Sequence, residues 1–134
     1  MAELTQRDPE NREVDEFILG QIDSVPHLEA LLLVWNSRPT TWSVEELAQR
    51  LYVKREIAGR LLDDLARARL IGAVPGKPET YAYPPPSDER DRLIGLVDAA
   101  YRHEIVRVST MIHSKASSAV RDFARAFRFT KERE

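Results

Sequence analysis

Hydrophobic residues recur every three to four positions over much of this chain, which is the spacing of one face of an α-helix. The first such stripe consists of Val14, Phe17, Ile18 and Ile22. A second stripe follows Pro26, a residue that suits the first turn of a helix because its missing N–H would have no partner there. This stripe ends near residues 36–39. The pattern therefore predicts two short amphipathic helices in the first third of the chain.

The middle of the chain contains a strong signal for the start of a helix. Ser43 precedes Glu46 by three residues, so each side chain can bond the backbone N–H of the other in a capping box. This helix is expected to end near Leu51, and another is expected to run from Lys54 to about Ala68. Two helices joined by so short a break must cross at a steep angle.

Short extended segments surround these two helices. A strand is expected at residues 40–42, and two more are expected at 72–74 and 79–83. The Pro-Gly-Lys-Pro sequence at 75–78 favours a tight turn, so the last two strands should form a β-hairpin. The three prolines at 84–86 then exclude regular structure and form the clearest boundary in the chain.

The last third of the chain predicts a long helix. Ser87 can cap it, and the acids that follow suit the positive end of the helix dipole. Half of the residues from Ser109 to Ser118 bear hydroxyl groups, which compete with the helical backbone for hydrogen bonds. A break is therefore expected near residues 114–118. The apolar stripe of this helix consists of Leu93, Leu96, Val97, Ala100, Tyr101, Ile105, Val108 and Ile112.

The order of strand, capped helix, tight turn, helix and hairpin is that of a winged helix-turn-helix. The residues from Trp42 to Val53 resemble this superfamily, which includes the MarR and ArsR groups of bacterial regulators, and the resemblance covers about residues 25–83. It continues through Ile57, Arg60, Leu61, Leu65, Leu70 and Ile71. The expected fold class is mainly α, with a winged helix-turn-helix domain, a small β-hairpin wing and a long C-terminal helix.

Four segments follow from this organisation. Residues 1–12 hold too few apolar groups to offset their ordering entropy, so a flexible acidic N-terminus is expected. Residues 13–83 are expected to form the winged helix-turn-helix domain. Residues 84–87 would be a Pro-rich linker, and residues 88–134 a C-terminal helical segment for dimerisation or docking.

Charge is unevenly distributed along the chain. The formal net charge is −2, but the first 25 residues hold seven acids and two bases. From Tyr101 onward the chain holds eight Lys or Arg and four acids. A bound polyanion would therefore meet local basic patches and not a uniformly basic protein.

The resemblance implies that the helix from Lys54 to Ala68 lies in the major groove of DNA and that the hairpin at 72–83 contacts the backbone. Arg55 and Arg60 would be best placed to contact bases, and Gly59 would permit a close approach to phosphate. The expected DNA-binding residues are Lys54, Arg55, Gly59, Arg60, Arg67 and Lys77.

Helical periodicity divides this helix into two sectors at about 100° per residue. The sector opposite the core carries both signs of charge, because Glu56 and Asp63 lie among the arginines. These two acids are expected to meet DNA unfavourably. A second function therefore stays open, in which the domain is a protein-interaction module or adaptor that does not bind DNA. The core-facing residues are expected to be Ile57, Leu61, Leu65 and Ala68.

The C-terminal helix requires a surface to cover it. About 40 helical residues would extend about 60 Å, which exceeds the width of the preceding domain. The preferred interpretation is pairing with a second copy, which gives a homodimer with two recognition helices for a palindromic site. In the alternatives, this helix folds back onto residues 14–36, its arginine-flanked Phe pair binds a groove on a protein partner, or it lies on anionic lipid. The expected dimer or partner interface is Leu93, Val97, Tyr101, Ile105, Ile112, Phe123 and Phe127.

Other function classes find little support. The chain has no cysteine, so it forms neither a disulfide nor a sulfur-ligated zinc site. Its three histidines, His27, His103 and His113, lack the spacing of a metal pair. Nucleotide-binding and hydrolase motifs are absent, so neither an enzyme nor a cofactor is expected. The polar N-terminus and short apolar runs predict a cytoplasmic protein without a membrane span.

Overall fold

The computed structural model describes residues 9–84 and 87–115 of the protein. Within them the fold is mainly α with a small antiparallel sheet, as the sequence predicts. The helices are α1 (Pro9–Gln21), α2 (Val25–Asn36), α3 (Val44–Leu51), α4 (Arg55–Arg67), α5 (Asp88–His103) and α6 (residues 105–115). The strands are β1 (Trp42–Ser43), β2 (Gly72–Ala73) and β3 (Thr80–Ala82).

Hydroxyl side chains cap the starts of three helices. The Ser43 hydroxyl accepts the N–H of Glu46 at 3.1 Å, and the Glu46 carboxylate accepts the N–H of Ser43 at 2.9 Å, so the predicted capping box is confirmed. Ser87 caps α5 by accepting the backbone N–H three residues ahead, also as predicted. Ser24 caps α2 in the same way. Each cap satisfies a backbone donor that the helix itself leaves without a partner.

The three strands form one sheet in the order β1-β3-β2. Trp42 lies opposite Tyr81, and Gly72 lies opposite Ala82. The predicted hairpin is confirmed, and its turn contains Gly76 at φ 78°, a left-handed conformation that glycine adopts without strain. The first strand begins at Trp42 and not at residue 40. Because β1 leads directly into α3, the sheet attaches the hairpin to the start of that helix.

One hydrophobic core joins all of the described helices. Ile18 of α1, Leu31 of α2 and Leu62 of α4 are fully buried, and Val97 of α5 belongs to the same cluster. The indole N–H of Trp35 on α2 also donates to Asp91 of α5 at 2.8 Å. The proline run therefore does not separate two cores, because the helices on both sides of it share one core.

The N-terminal boundary also differs from the prediction. Helix α1 begins at Pro9, so residues 9–12 are helical although the sequence predicts a flexible segment up to residue 12. Arg92 of α5 pairs with Glu13 of α1 at 3.1 Å, which connects the two helices beside the core. Residues 1–8 lie outside the described part of the chain.

The helix that follows the prolines bends at Glu104, about ten residues before the predicted break. Glu104 ends α5, and its carbonyl accepts the N–H of Val108 at 3.0 Å in the first turn of α6. The bend turns α6 back along α1, where Arg107 pairs with Asp15 at 3.1 Å and Lys115 donates to the carbonyl of Ile22 at 2.9 Å. The free energy gained by burying apolar residues of α6 exceeds the cost of interrupting one long helix. Of the predicted break, residues 114–115 are helical and 116–118 lie outside the described residues.

In the described part of the chain, no single helix is long and apolar enough to cross a membrane. Helices α1 and α2 together meet the length and composition of a span, but they meet at a bend of 115°.

Candidate nucleic-acid interface

Helices α3 and α4 cross closely after a short turn. Tyr52 ends α3 in the left-handed conformation, with φ 57° and ψ 45°, and this reverses the chain direction. Gly59 of α4 faces α3 across the crossing, because a Cβ added to it would lie 3.7 Å from Val44 Cγ1. Gly59, a predicted DNA contact, is half-buried on the side of α4 that faces α3, and an added Cβ would make only ordinary van der Waals contact there.

Helix α4 is rotated relative to the predicted orientation. The sequence predicts Ile57 in the core, but this residue is 38% exposed. Leu62, which the prediction leaves out, is fully buried. The side chains that face the core are Ala58, Leu61, Leu62 and Leu65. Helical spacing is compatible with both the predicted and the observed sets of core residues. The prediction included Ile57 in place of Ala58 because isoleucine is the larger apolar residue.

The outward face of α4 is defined here as Glu56, Arg60, Asp63 and Arg67, which lie opposite its buried residues. Three of the four are exposed, and Asp63 is half-exposed. Among the described residues, α5 and α6 pack against α1 and α2 and leave this face uncovered. Over the described part of the chain, this face, which holds the predicted DNA contacts Arg60 and Arg67, is therefore accessible to a partner.

Arg55 does not belong to this open face. Its guanidinium pairs with Glu45 of α3 at 3.3 Å and with Glu79 beside the hairpin turn at 2.5 Å. The hydrogen bond that Arg55 donates to Glu45, followed by the charge of Glu79, raises the pKa of Arg55 above its ordinary value. Arg55 therefore connects α3, α4 and the hairpin, and its charge is already matched within the chain.

The remaining predicted cations fall into two groups. Arg67 pairs with Asp63 at 2.6 Å, one helical turn earlier. Lys54, Arg60 and Lys77 are exposed, and they form no ion pair with any residue that the structure describes. Lys54 precedes α4, Arg60 lies on its outward face and Lys77 lies in the hairpin turn. Of the predicted DNA-binding cations, these three carry charge that is available to a polyanion.

A partly buried contact between His27 and Asp64 links α2 to α4. The imidazole of His27 on α2 lies 2.8 Å, measured from Nε2, from the carboxylate of Asp64 on α4. Its Nδ1 lies 2.6 Å from the Ser24 hydroxyl, which also accepts the backbone N–H of His27. The order of serine, histidine and aspartate resembles that of a catalytic triad, but here the serine is a helix cap. The contact binds the start of α2 to α4 and keeps the outward face turned to solvent.

A shallow concavity beside the turn was not predicted from the sequence. Its volume is about 370 Å³, and it is lined by Trp42, Glu46, Gln49, Arg50 and Tyr52. The Tyr52 side chain is 94% exposed. A tyrosine in the turn between α3 and α4, at a left-handed position that is usually glycine, was the available signal.

Four of the residues predicted to contact a second chain lie wholly or partly inside the fold. Val97 and Ile112 are fully buried inside the chain and are therefore not available to a partner. Leu93 and Tyr101 are half-buried, and the Tyr101 hydroxyl donates to Glu29 at 3.1 Å. Burial, followed by this hydrogen bond, raises the pKa of Tyr101 to about 12.

On the described part of α5 and α6, the large exposed apolar side chains lie at the bend between the two helices. Ile105 is 52% exposed, as its predicted interface role requires, and Val106 is 75% exposed. Both follow Glu104 directly, at the start of α6. Phe123 and Phe127 lie outside the described residues. Only the bend therefore offers strongly exposed large apolar side chains for pairing within the described part of α5 and α6.

Comparison of the chain with known protein families, with curated proteins and with solved structures gave no match. Among the described residues, no group of three or more His, Asp or Glu is placed to hold a metal ion.

Proposed function

We propose that this protein is a DNA-binding transcriptional regulator built on a winged helix-turn-helix. In this proposal α3 and α4 are the helix-turn-helix, α4 is the recognition helix and the β2–β3 hairpin is the wing. The observation that carries the proposal is the outward face of α4, which no described helix or strand covers and which lies beside the hairpin that Arg55 connects to it. An occluded α4 would have left no surface to enter a major groove.

Three free cations supply the proposed contacts. Lys54 at the start of α4 and Lys77 in the hairpin turn contact phosphates on either side of the groove, and these contacts fix position without reading sequence. Arg60 projects from the outward face and donates two hydrogen bonds to a guanine edge. Arg55 holds the hairpin against α4 and contacts no base.

The test begins with selection from a random duplex library by the full-length chain, followed by anisotropy titrations on the selected duplex over a range of salt concentrations. We expect Lys77→Ala to weaken binding to all duplexes and to lower the slope of log K against log salt by about one. Arg60→Ala should cost about 1 to 3 kcal/mol on the selected duplex and relax its base preference.

Arg67→Ala is the matched control, because Arg67 lies on the same face but is paired with Asp63. It should change affinity less than Arg60→Ala. The proposed function is contradicted if the wild-type protein binds no duplex at low salt, or if its affinity for the duplex does not change with salt concentration.

We further propose that two copies associate at the bend between α5 and α6. Ile105 and Val106 place large apolar side chains in water there, and burial against a second copy removes this cost. A two-fold pair would present two α4 helices to a palindromic site. The cytoplasm remains the proposed compartment for a regulator of this kind.

The concavity beside Tyr52 favours one alternative function, a protein-interaction module. Exposed Trp, Tyr and Arg are the residue types enriched at the centres of protein interfaces, and Trp42, Arg50 and Tyr52 all line this concavity. A protein partner retained at high salt and lost in Tyr52→Ala would favour this alternative, because binding to DNA must weaken as salt rises.

A further inference from the structure

One acid on the outward face of α4, Glu56, forms no ion pair with any residue that the structure describes. Two acids lie on this face, and Asp63 is neutralised by Arg67 at 2.6 Å. Glu56 and Arg60 have the same spacing and the same order on the same helix, yet they form no ion pair. Both side chains are exposed. Of two acid–arginine pairs with the same spacing on this helix, one therefore forms an ion pair and the other does not.

We propose that Glu56 is a specificity-determining residue that accepts a hydrogen bond from the exocyclic amino group of a cytosine, beside the guanine contacted by Arg60. This inference rests on the proposed DNA-binding function and names the bases that α4 distinguishes. It assigns a role to an acid whose charge would otherwise only repel the phosphates.

The chemistry of the major groove supports this assignment. Cytosine presents its amino group there as a donor, and carboxylates accept from it, whereas guanine presents two acceptors that match an arginine. Glu56 lies in the first turn of α4, where residues of a recognition helix contact base edges. The positive end of the helix dipole also stabilises a carboxylate in that turn.

The spacing of the two residues predicts the spacing of the bases. Four residues at 1.5 Å per residue separate Glu56 from Arg60 by about 6 Å along the helix axis. Neighbouring base pairs are about 3.4 Å apart, so the two side chains reach base pairs one or two steps apart. The preferred site should contain a cytosine within two steps of a guanine.

The experiment repeats the duplex selection with full-length Glu56→Ala, Glu56→Gln and Asp63→Asn beside the wild type. Competition titrations then measure discrimination at each position of the selected site. Glu56→Ala should bind random-sequence duplex more tightly, because a negative charge is removed, but should lose roughly 5- to 150-fold discrimination at one C·G pair. Glu56→Gln should shift the preference at that pair toward A·T, because glutamine matches an adenine edge.

Asp63→Asn is the matched control on the same face, and it should leave every base preference unchanged. Unchanged preference at all positions in both Glu56 variants overturns the inference while the DNA-binding function stands. A wild-type chain that binds no duplex at low salt overturns both. A preference that moves equally in Asp63→Asn also overturns the inference, since it would reflect the charge of the face and not a contact from Glu56.

Discussion

The rotation of α4 decides which side chains can contact a partner, and two alanine substitutions measure it. Leu62 is fully buried, so Leu62→Ala should destabilise the protein by about 2 to 5 kcal/mol through lost burial and an internal cavity. Ile57→Ala also removes three carbons, but Ile57 is 38% exposed. At about 0.8 kcal/mol per fully buried carbon and three fifths burial, the loss is about 1.5 kcal/mol. The better helix propensity of alanine offsets about 0.4 kcal/mol of it.

Urea unfolding followed by circular dichroism measures both free energies. We expect Leu62→Ala to exceed Ile57→Ala by at least about 1 kcal/mol, with m-values close to that of the wild type. If Ile57→Ala costs as much as Leu62→Ala, α4 is turned so that Ile57 faces the core. The outward face would then hold different residues, and the proposed contacts of Glu56 and Arg60 would lose their basis.

Three further predictions concern single positions. Arg69 has φ 63°, so Arg69→Gly should raise the free energy of unfolding by about 1 kcal/mol; a loss of stability in urea unfolding would contradict this. The pKa of Tyr101 is raised to about 12. Its contribution to the free energy of unfolding should therefore be complete below pH 10 and should disappear between about pH 10 and 12. The thermal midpoint of the wild type should therefore fall more steeply over that pH range than the midpoint of Tyr101→Phe. Parallel curves of midpoint against pH for the two proteins would contradict this prediction. Val106→Glu should convert dimer to monomer in light scattering with little change in unfolding free energy, whereas an unchanged mass would exclude association at the bend.

Local signals along the sequence predicted much of the fold. The capping box at Ser43, the cap at Ser87 and the Pro-Gly turn of the hairpin depend on a few adjacent residues, and all three are present. The interruption of the long helix at Glu104 was not predicted because its cause is not local. The bend at Glu104 exists because Val108 and Ile112 reach the core beside α1, which no pattern within the helix encodes.

The candidate site was predicted only in part for a related reason. Residue types and helical spacing identified a charged face, but they could not show which charges are already matched. The partner of Arg55 at residue 79 is 24 positions away, and it meets Arg55 only because the hairpin folds beside α4. That Gly59 lies on the side of α4 that faces Val44 likewise depends on the crossing of two helices, which the sequence does not show.

The shared core has a consequence for the fate of a nicked chain. A protease that cuts between Tyr83 and Ser87 would produce two fragments, each of which exposes the apolar surface that the other covers. The fragments should therefore stay associated without a covalent link, migrate together under native conditions and melt in one cooperative transition. Neither piece is expected to persist as an independent folding unit, so a chain without α5 and α6 should fail to keep a stable fold.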